Sequence, residues 1–347
     1  MMNLERRLAT ICLVGAAVAS AAKVCDFECT TAPSINSATI ENEFCANAWN
    51  PEPTGFQCLD VAADAASFQA DWHWTGGAPF AVHSFPHVNL HSARMPVKLA
   101  NITKANVAVN WGMGPNETFP AGNTLVTDAA ALDATKTMAT IAYDLWIDED
   151  PDVASSAAEA KYEIMIWVGH YGNPQPISDI YPSVPKGTIT VDKQAFTLYV
   201  GKNAVGQTVC SWVLDVPSTN FKLDIVPLIA DLVKKELIPA AAYLGGVHFG
   251  VEAFYSAETM AFVAKDYTLA ISDTRGADVS TSASGTPTSG THNPAQTIDW
   301  AIVTPSGQAQ QSASTTPSAA SQSLSSRVSV LQLCGCVVAG WLAAYAL

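Results

Sequence analysis

From residue 38 to residue 271 the chain alternates apolar and polar positions in short runs, separated by clusters of Gly, Pro, Asn and Asp. A period of two places successive side chains on opposite faces of a strand, and turn residues at regular intervals mark the ends of strands. The pattern predicts strands at 70–74, 106–111, 139–147, 161–168, 187–191, 195–200, 208–213, 244–253 and 267–271. Strands of this kind in succession predict an antiparallel sandwich. One stretch breaks the period. In DIVPLIADLVKKELI, Ile225, Leu228, Ile229, Leu232, Val233 and Leu237 recur at helical spacing, with Asp224 as the expected N-cap and Pro227 in the first turn. The expectation is an all-β domain carrying a single amphipathic helix.

The two ends follow other patterns. Arg6 and Arg7 precede an apolar run at 8–18 and the small residues Ala19, Ser20, Ala21 and Ala22, the layout of a cleavable secretory signal over 1–22. Residues 328–347 contain no charged side chain, a length that suits either a membrane span or a glycosylphosphatidylinositol attachment signal. Small residues upstream (Ser312, Ala313, Ser314, Ala319, Ala320), a polar spacer ending at Arg327 and no basic residue after the run favour the lipid anchor. Residues 277–327 are rich in Ser, Thr and Pro, a composition that buries too little apolar surface to fold and suits a glycosylated stalk. The apolar island at 298–303 has no explanation in this scheme. A single domain over 23–276 remains. Sequons at Asn101 and Asn116 fit an exported glycoprotein, which we expect to be a monomer tethered to the membrane or wall at the cell surface.

Net charge is −14, which argues against a nucleic-acid partner. The domain holds Cys25, Cys29, Cys45, Cys58 and Cys210, an odd number for an oxidising compartment, so at least one thiol is free or paired to another chain. No Cys or His cluster has zinc-ligand spacing, and no metal or other cofactor is expected. Dinucleotide-fold, serine-hydrolase and zincin motifs are absent from the sequence. His83, His87 and His248 read as surface or hydrogen-bonded core residues.

Chemistry enters with the stretch KYEIMIWVGHYGNPQPIS at 161–178. Alternation puts Glu163, Met165 and Trp167 on one face and Tyr162, Ile164, Ile166 and Val168 on the other. In GGVHFGVEAF, His248, Gly250, Glu252 and Phe254 share a face, so a second carboxylate sits among small and aromatic neighbours. In IAYDLWI, Asp144 and Trp146 do the same, and Asp144 is placed to hydrogen-bond Glu163. Paired carboxylates on strand faces are what glycoside hydrolysis requires: one attacks the anomeric carbon or activates water, and the other protonates the leaving oxygen. A separation of about 5 Å gives retention through a covalent glycosyl intermediate. Trp49, Trp72, Trp74, Trp111, Trp146 and Trp167 supply flat surfaces on which pyranose rings stack, although large aromatics are more often core.

These residues resemble glycoside hydrolase family 12, a jelly-roll family of endo-β-1,4-glucanases and xyloglucan-specific endoglucanases. YEIMIWVGHYGNPQPIS is similar to the family's nucleophile strand and following loop. The resemblance continues in order through CANAWN, Gln57-Cys58, WHWTGG, IAYDLW, FTLYVG, the helix, FGVEAF and DYTLAI. It implies a β-sandwich of two antiparallel sheets with a concave glucan-binding cleft. It further implies Glu163 as nucleophile, Glu252 as general acid/base and Asp144 as the partner of the nucleophile. Asn47, Trp49, Met165 and Trp167 would line the glucan subsites, with Pro176 in the loop crossing the cleft. It also suggests that Cys58 joins Cys25 or Cys29, while Cys45 and Cys210 have no counterpart. The family's Gly-Thr-Glu-Pro-Phe is Gly-Val-Glu-Ala-Phe here, which keeps the acid and alters the chain after it. The implied activity is that of a retaining endo-β-1,4-glucan hydrolase acting on glucan or xyloglucan. The competing expectation is a carbohydrate-binding surface protein on the same fold without turnover.

Overall fold

Alternating strands with one apolar face bury it by stacking in pairs of sheets, and two sheets form here. The structure is a computed structural model that describes residues 22–31, 42–62, 64–76, 81–116, 125 and 127–277. The expected signal before Ala22, the stalk beyond Ala277 and the apolar tail lie outside the described residues.

In spatial order the first sheet runs Ala22–Cys25, Phe56–Val61, Ser67–His73, Met260–Asp273, Ile102–Pro115, Asn220–Asp224, with Gly276–Ala277 paired to Met260–Asp273. The second runs Gly187–Val191, Gln194–Lys202, Thr208–Leu214, Tyr162–Tyr171, Met138–Asp148, Tyr243–Tyr255, His87–Asn89, Glu43–Cys45, Cys29–Thr31, with Val97–Lys98 paired to Tyr243–Tyr255. Every predicted strand is present, most of them longer than the pattern suggested.

The expectation of purely antiparallel sheets needs one correction. Tyr162–Tyr171 and Thr208–Leu214 pair in parallel. After Tyr171 the chain crosses the outer face of its own sheet to the edge strand Gly187–Val191, then returns through Gln194–Lys202 and Thr208–Leu214. The crossing lets Gly187–Val191 run in the same direction as Tyr162–Tyr171, and two antiparallel steps back from it make the last contact parallel.

Inward-facing residues of the two sheets meet in one core. Tyr143, Leu145, Ile147, Ile164, Ile166, Val168, Val247, Phe249 and Val251 come from the second sheet, and Phe68, Trp72, Val107, Trp111 and Phe262 from the first. Phe249 and Phe262 touch across the interface with centroids 6.3 Å apart. Trp72, Trp74 and Trp111 are fully buried in this core, so half of the tryptophans noted as sugar platforms are structural.

The helix spans Val226–Lys234, with Leu228, Ile229 and Leu232 buried and Pro227 in its first turn. Asp224 is not its N-cap: Ile225 occupies that position, because pairing with Ile102–Pro115 holds Asp224 in a strand. The Asp224 carboxylate still accepts hydrogen bonds from Val226 N and Ala105 N, at 3.2 and 3.1 Å, and so ties helix to sheet. A second short helix, Ala129–Ala134, is capped by Asp128, which accepts from Ala130 N and Ala131 N. Its run of alanines has no apolar period to announce it.

Cys25 pairs with Cys58 and Cys29 with Cys45, each between directly opposed strand residues. Cys45 is thus a disulfide partner that the resemblance left unplaced. The odd cysteine is Cys210, a free thiol buried in the core.

Candidate active site

Because Ile164, Ile166 and Val168 are committed to the core, Glu163, Met165 and Trp167 must face outward from the second sheet. The same alternation brings Thr140, Asp144 and Trp146 to that face from Met138–Asp148, and His248 and Glu252 from Tyr243–Tyr255. Strand register fixes their order. Met165, Asp144 and His248 are cross-strand partners in one row, Glu163 pairs with Trp146, and Glu252 pairs with Thr140. The three carboxyl residues that the sequence picked out therefore sit on adjacent strands of one surface.

This surface is covered. Glu163 is 3% exposed, Asp144 4% and Glu252 5%. On one flank, Ile177 from the segment after Tyr171 packs against Met165, Trp167, Ala142 and Val209 in a cluster separate from the core. Pro176 is buried in this crossing segment. The segment lies flat because Gly201 has no side chain: a Cβ there would stand 2.8 Å from the Ser178 backbone. On the other flank, Trp146 packs against Ala157 and Ala160, and Gln207 Nε2 donates to the carbonyls of both alanines, at 2.9 and 2.7 Å. Asn47 is buried in a left-handed conformation (φ 49°), and its Oδ1 has no hydrogen-bond partner. Trp49 is half-buried.

Burial sets the electrostatics. Desolvation raises Asp144 well above the usual carboxylate range, and the charges of Glu163 and then Glu252 add to it. Desolvation also pushes Glu163 up, to about 8, with Glu252 contributing. Groups so placed share their protons. Two neighbouring carboxylates, Glu163 and Glu252, disfavour the Asp144 anion, and one, Glu252, disfavours that of Glu163. Thr140 Oγ1 donates to Glu252 Oε2 at 2.6 Å and fixes that carboxylate's orientation. Asp144 Oδ1 is buried without a hydrogen-bond partner.

Raised carboxyl groups bind more protons folded than unfolded, so they subtract stability as pH rises from the unfolded value near 4.5 toward about 8. Glu163→Gln removes the Glu163 share of that penalty. Its melting temperature is expected to exceed that of the parent by several °C at pH 8 and by much less at pH 5, in paired thermal melts. An equal shift at both pH values would show that Glu163 does not carry the proton.

Sequence reasoning missed Thr140, although it lies on Asp144's face by alternation, and set aside His87 and His248. Both histidines are buried, and both belong to this surface: His248 is the cross-strand partner of Asp144. His83 is a buried residue whose Nδ1 meets the Asn50 carbonyl at 2.6 Å, in line with the hydrogen-bonded reading.

Known proteins resemble this chain in sequence and in fold. Residues 124–272, which contain all three acids, match the family described as Glycosyl hydrolase family 12. A xyloglucan-specific endo-beta-1,4-glucanase 1 of Phytophthora sojae is 29% identical over 214 residues, covering 60% of this chain and 77% of that protein. A protein of Phytophthora nicotianae named inactive glycoside hydrolase XLP1 is 29% identical over 213 residues, with the same coverage. Among solved structures, the family 12 endoglucanase 3 of Trichoderma harzianum superposes with a TM-score of 0.58 at 24% identity, over 74% of this chain and all of that one. The native family 12 xyloglucanase of Bacillus licheniformis gives 0.55 at 16% identity, over 72% of this chain and all of that one. Two stacked sheets in this order, with the acid-bearing strands inside the matched segment, agree with these likenesses: residues 124–272 match glycoside hydrolase family 12, and the fold is the one its solved members have.

Proposed function

We propose that the protein is a retaining endo-β-1,4-glucan hydrolase acting on xyloglucan or unbranched glucan outside the cell. Since one relative is named as inactive, likeness to the family does not carry turnover. The reading rests on one observation: three carboxyl groups buried on one sheet face, with Asp144 and Glu163 raised above their ordinary range by burial first and by neighbouring carboxylates second.

Glu163 attacks the anomeric carbon from below the sugar, and the bond to the leaving glucan oxygen breaks as Glu252 hands that oxygen a proton. Water, deprotonated by Glu252, then displaces Glu163 and restores the starting state with net retention. Asp144 keeps a proton and offers it to Glu163, which steadies the departing carboxylate in the second step. Trp49, Met165 and Trp167 give apolar contact to pyranose faces, Asn47 gives a hydrogen-bonding group, and Pro176 shapes the crossing segment. Two disulfides fit a secreted protein. Asn101 is exposed, as a glycosylated residue must be. The tether at the C-terminus and the monomeric state remain part of this reading.

The test is reducing-end release by the purified chain from xyloglucan and from carboxymethyl-cellulose. Cleavage of at least one, with β-anomeric product appearing first by NMR, is the expected result. A folded chain that binds glucan and cleaves neither would leave the carbohydrate-binding alternative standing in its place.

A further inference from the structure

Three rings form a stack on the acid-bearing face. His87 lies parallel to Phe85, with centroids 4.9 Å apart, and to His248, at 4.4 Å and 8°. Trp146 meets His248 edge-on, and Trp146 Nε1 donates to His248 Nδ1 at 3.3 Å. An indole nitrogen only donates, so His248 Nδ1 must be bare, and the ring carries its one proton on Nε2. His87 has the opposite tautomer: its Nδ1 lies 2.7 Å from the Phe85 carbonyl, which only accepts.

Charge on either ring is disfavoured. Burial, then the neighbouring His87 and His91, hold His248 well below its ordinary value, and burial takes His87 down to about 4 against the pull of the Phe85 carbonyl. The groups facing His248 are Asp144 and Trp146 on the strand Met138–Asp148, Glu252 on its own strand, and His87 and His91 from the strand beyond and its continuation.

Directly opposed residues of an antiparallel pair hold their Cβ atoms about 4.5–5.5 Å apart. His248 and Asp144 are such a pair, and Asp144 Oδ1 is the buried oxygen left without a hydrogen-bond partner. We propose that His248 is a positioning residue: the stack and Trp146 lock it as an uncharged Nε2–H donor for Asp144 Oδ1 when glucan fills the cleft. With Oδ1 held, the Asp144 proton sits on Oδ2, aimed at Glu163. A cationic imidazole would instead draw that proton off, by stabilising the Asp144 anion. This inference rests on the hydrolase reading given above.

Ring-nitrogen NMR of the full chain, labelled at histidine, reads the lock without turnover. The expected spectrum shows His248 as the Nε2–H tautomer, unchanged from about pH 5 to 8, with both tautomers appearing in Trp146→Phe. Kinetics on xyloglucan then separate donation from packing. His248→Gln can accept from Trp146 and donate to Asp144, and should keep kcat within about threefold. His248→Leu fills the space without donating, and should lose about tenfold or more in kcat with KM within about twofold. An Nδ1–H or cationic His248, or a His248→Leu enzyme matching His248→Gln, overturns the proposal. A parent chain that cleaves no glucan defeats the hydrolase reading instead, and is told apart by that control.

Discussion

Glu163→Gln, assayed on xyloglucan alongside the parent, is expected to lose at least about 10³-fold in kcat while binding glucan as before. Gln keeps the shape and hydrogen-bonding reach of Glu but offers no carboxylate, so no glycosyl ester can form at C1. KM should move little, because the contacts supplied by Trp49, Met165 and Trp167 are untouched. The same substitution raises thermal stability at pH 8, as argued above, and the opposed outcomes together are diagnostic. A side chain kept for folding loses stability when replaced. One kept for chemistry, and buried at a cost, gains it. Residual activity within tenfold of the parent would place the nucleophile elsewhere, and a carboxylate on the same face, Asp144 above all, would become the next residue to replace.

The strands were legible because each long one buries a single face, and period two survives wherever that holds. Tyr162–Tyr171 shows the gain: once Ile164 and Ile166 are assigned inward, Glu163 must face out, and the structure places it there. The short pairings Cys29–Thr31, Glu43–Cys45 and His87–Asn89 were illegible, since three residues give no measurable period and their pairing is set by neighbours far along the chain. Parallel pairing of Thr208–Leu214 was likewise a matter of where the chain crosses, which local pattern does not record. At the site, the identities of the acids were visible and their state was not. The acids are buried to within a few per cent of complete, and the residues packed on their apolar neighbours, Ile177 on one flank and Ala157 and Ala160 on the other, all come from connecting segments. The histidines were undervalued for a related reason. A lone strand His is commonly structural, and only the stack with His87 and the Trp146 hydrogen bond sets His248 apart.

Replacing Glu252 by Ala should give a loss comparable to that at Glu163 on polysaccharide, with a different signature. Without a proton donor the glucan leaving group departs poorly, whereas an activated aryl cellobioside, whose phenolate leaves unaided, should be turned into glycosyl-enzyme nearly as fast as by the parent. Deglycosylation then stalls, because no base activates water. Azide needs none. It attacks C1 of the intermediate, the C1–N bond forms as the bond to Glu163 breaks, and Glu163 leaves as a carboxylate. Two inversions leave a β-glycosyl azide, identifiable by NMR, and turnover of the aryl substrate should rise at least about tenfold with added azide. An α-azide would mean that Glu252 is itself the nucleophile and that the two roles are exchanged. Absence of any azide product, in a variant whose parent is active, would argue for an inverting mechanism without an intermediate. Thr140 orients the Glu252 carboxylate through its 2.6 Å hydrogen bond, so Thr140→Val should show a milder form of the Glu252→Ala defect on polysaccharide and almost none in forming glycosyl-enzyme from the aryl substrate. That graded pair ties the acid/base role to the geometry around Glu252, where an unrelated loss of folding would depress both substrates alike.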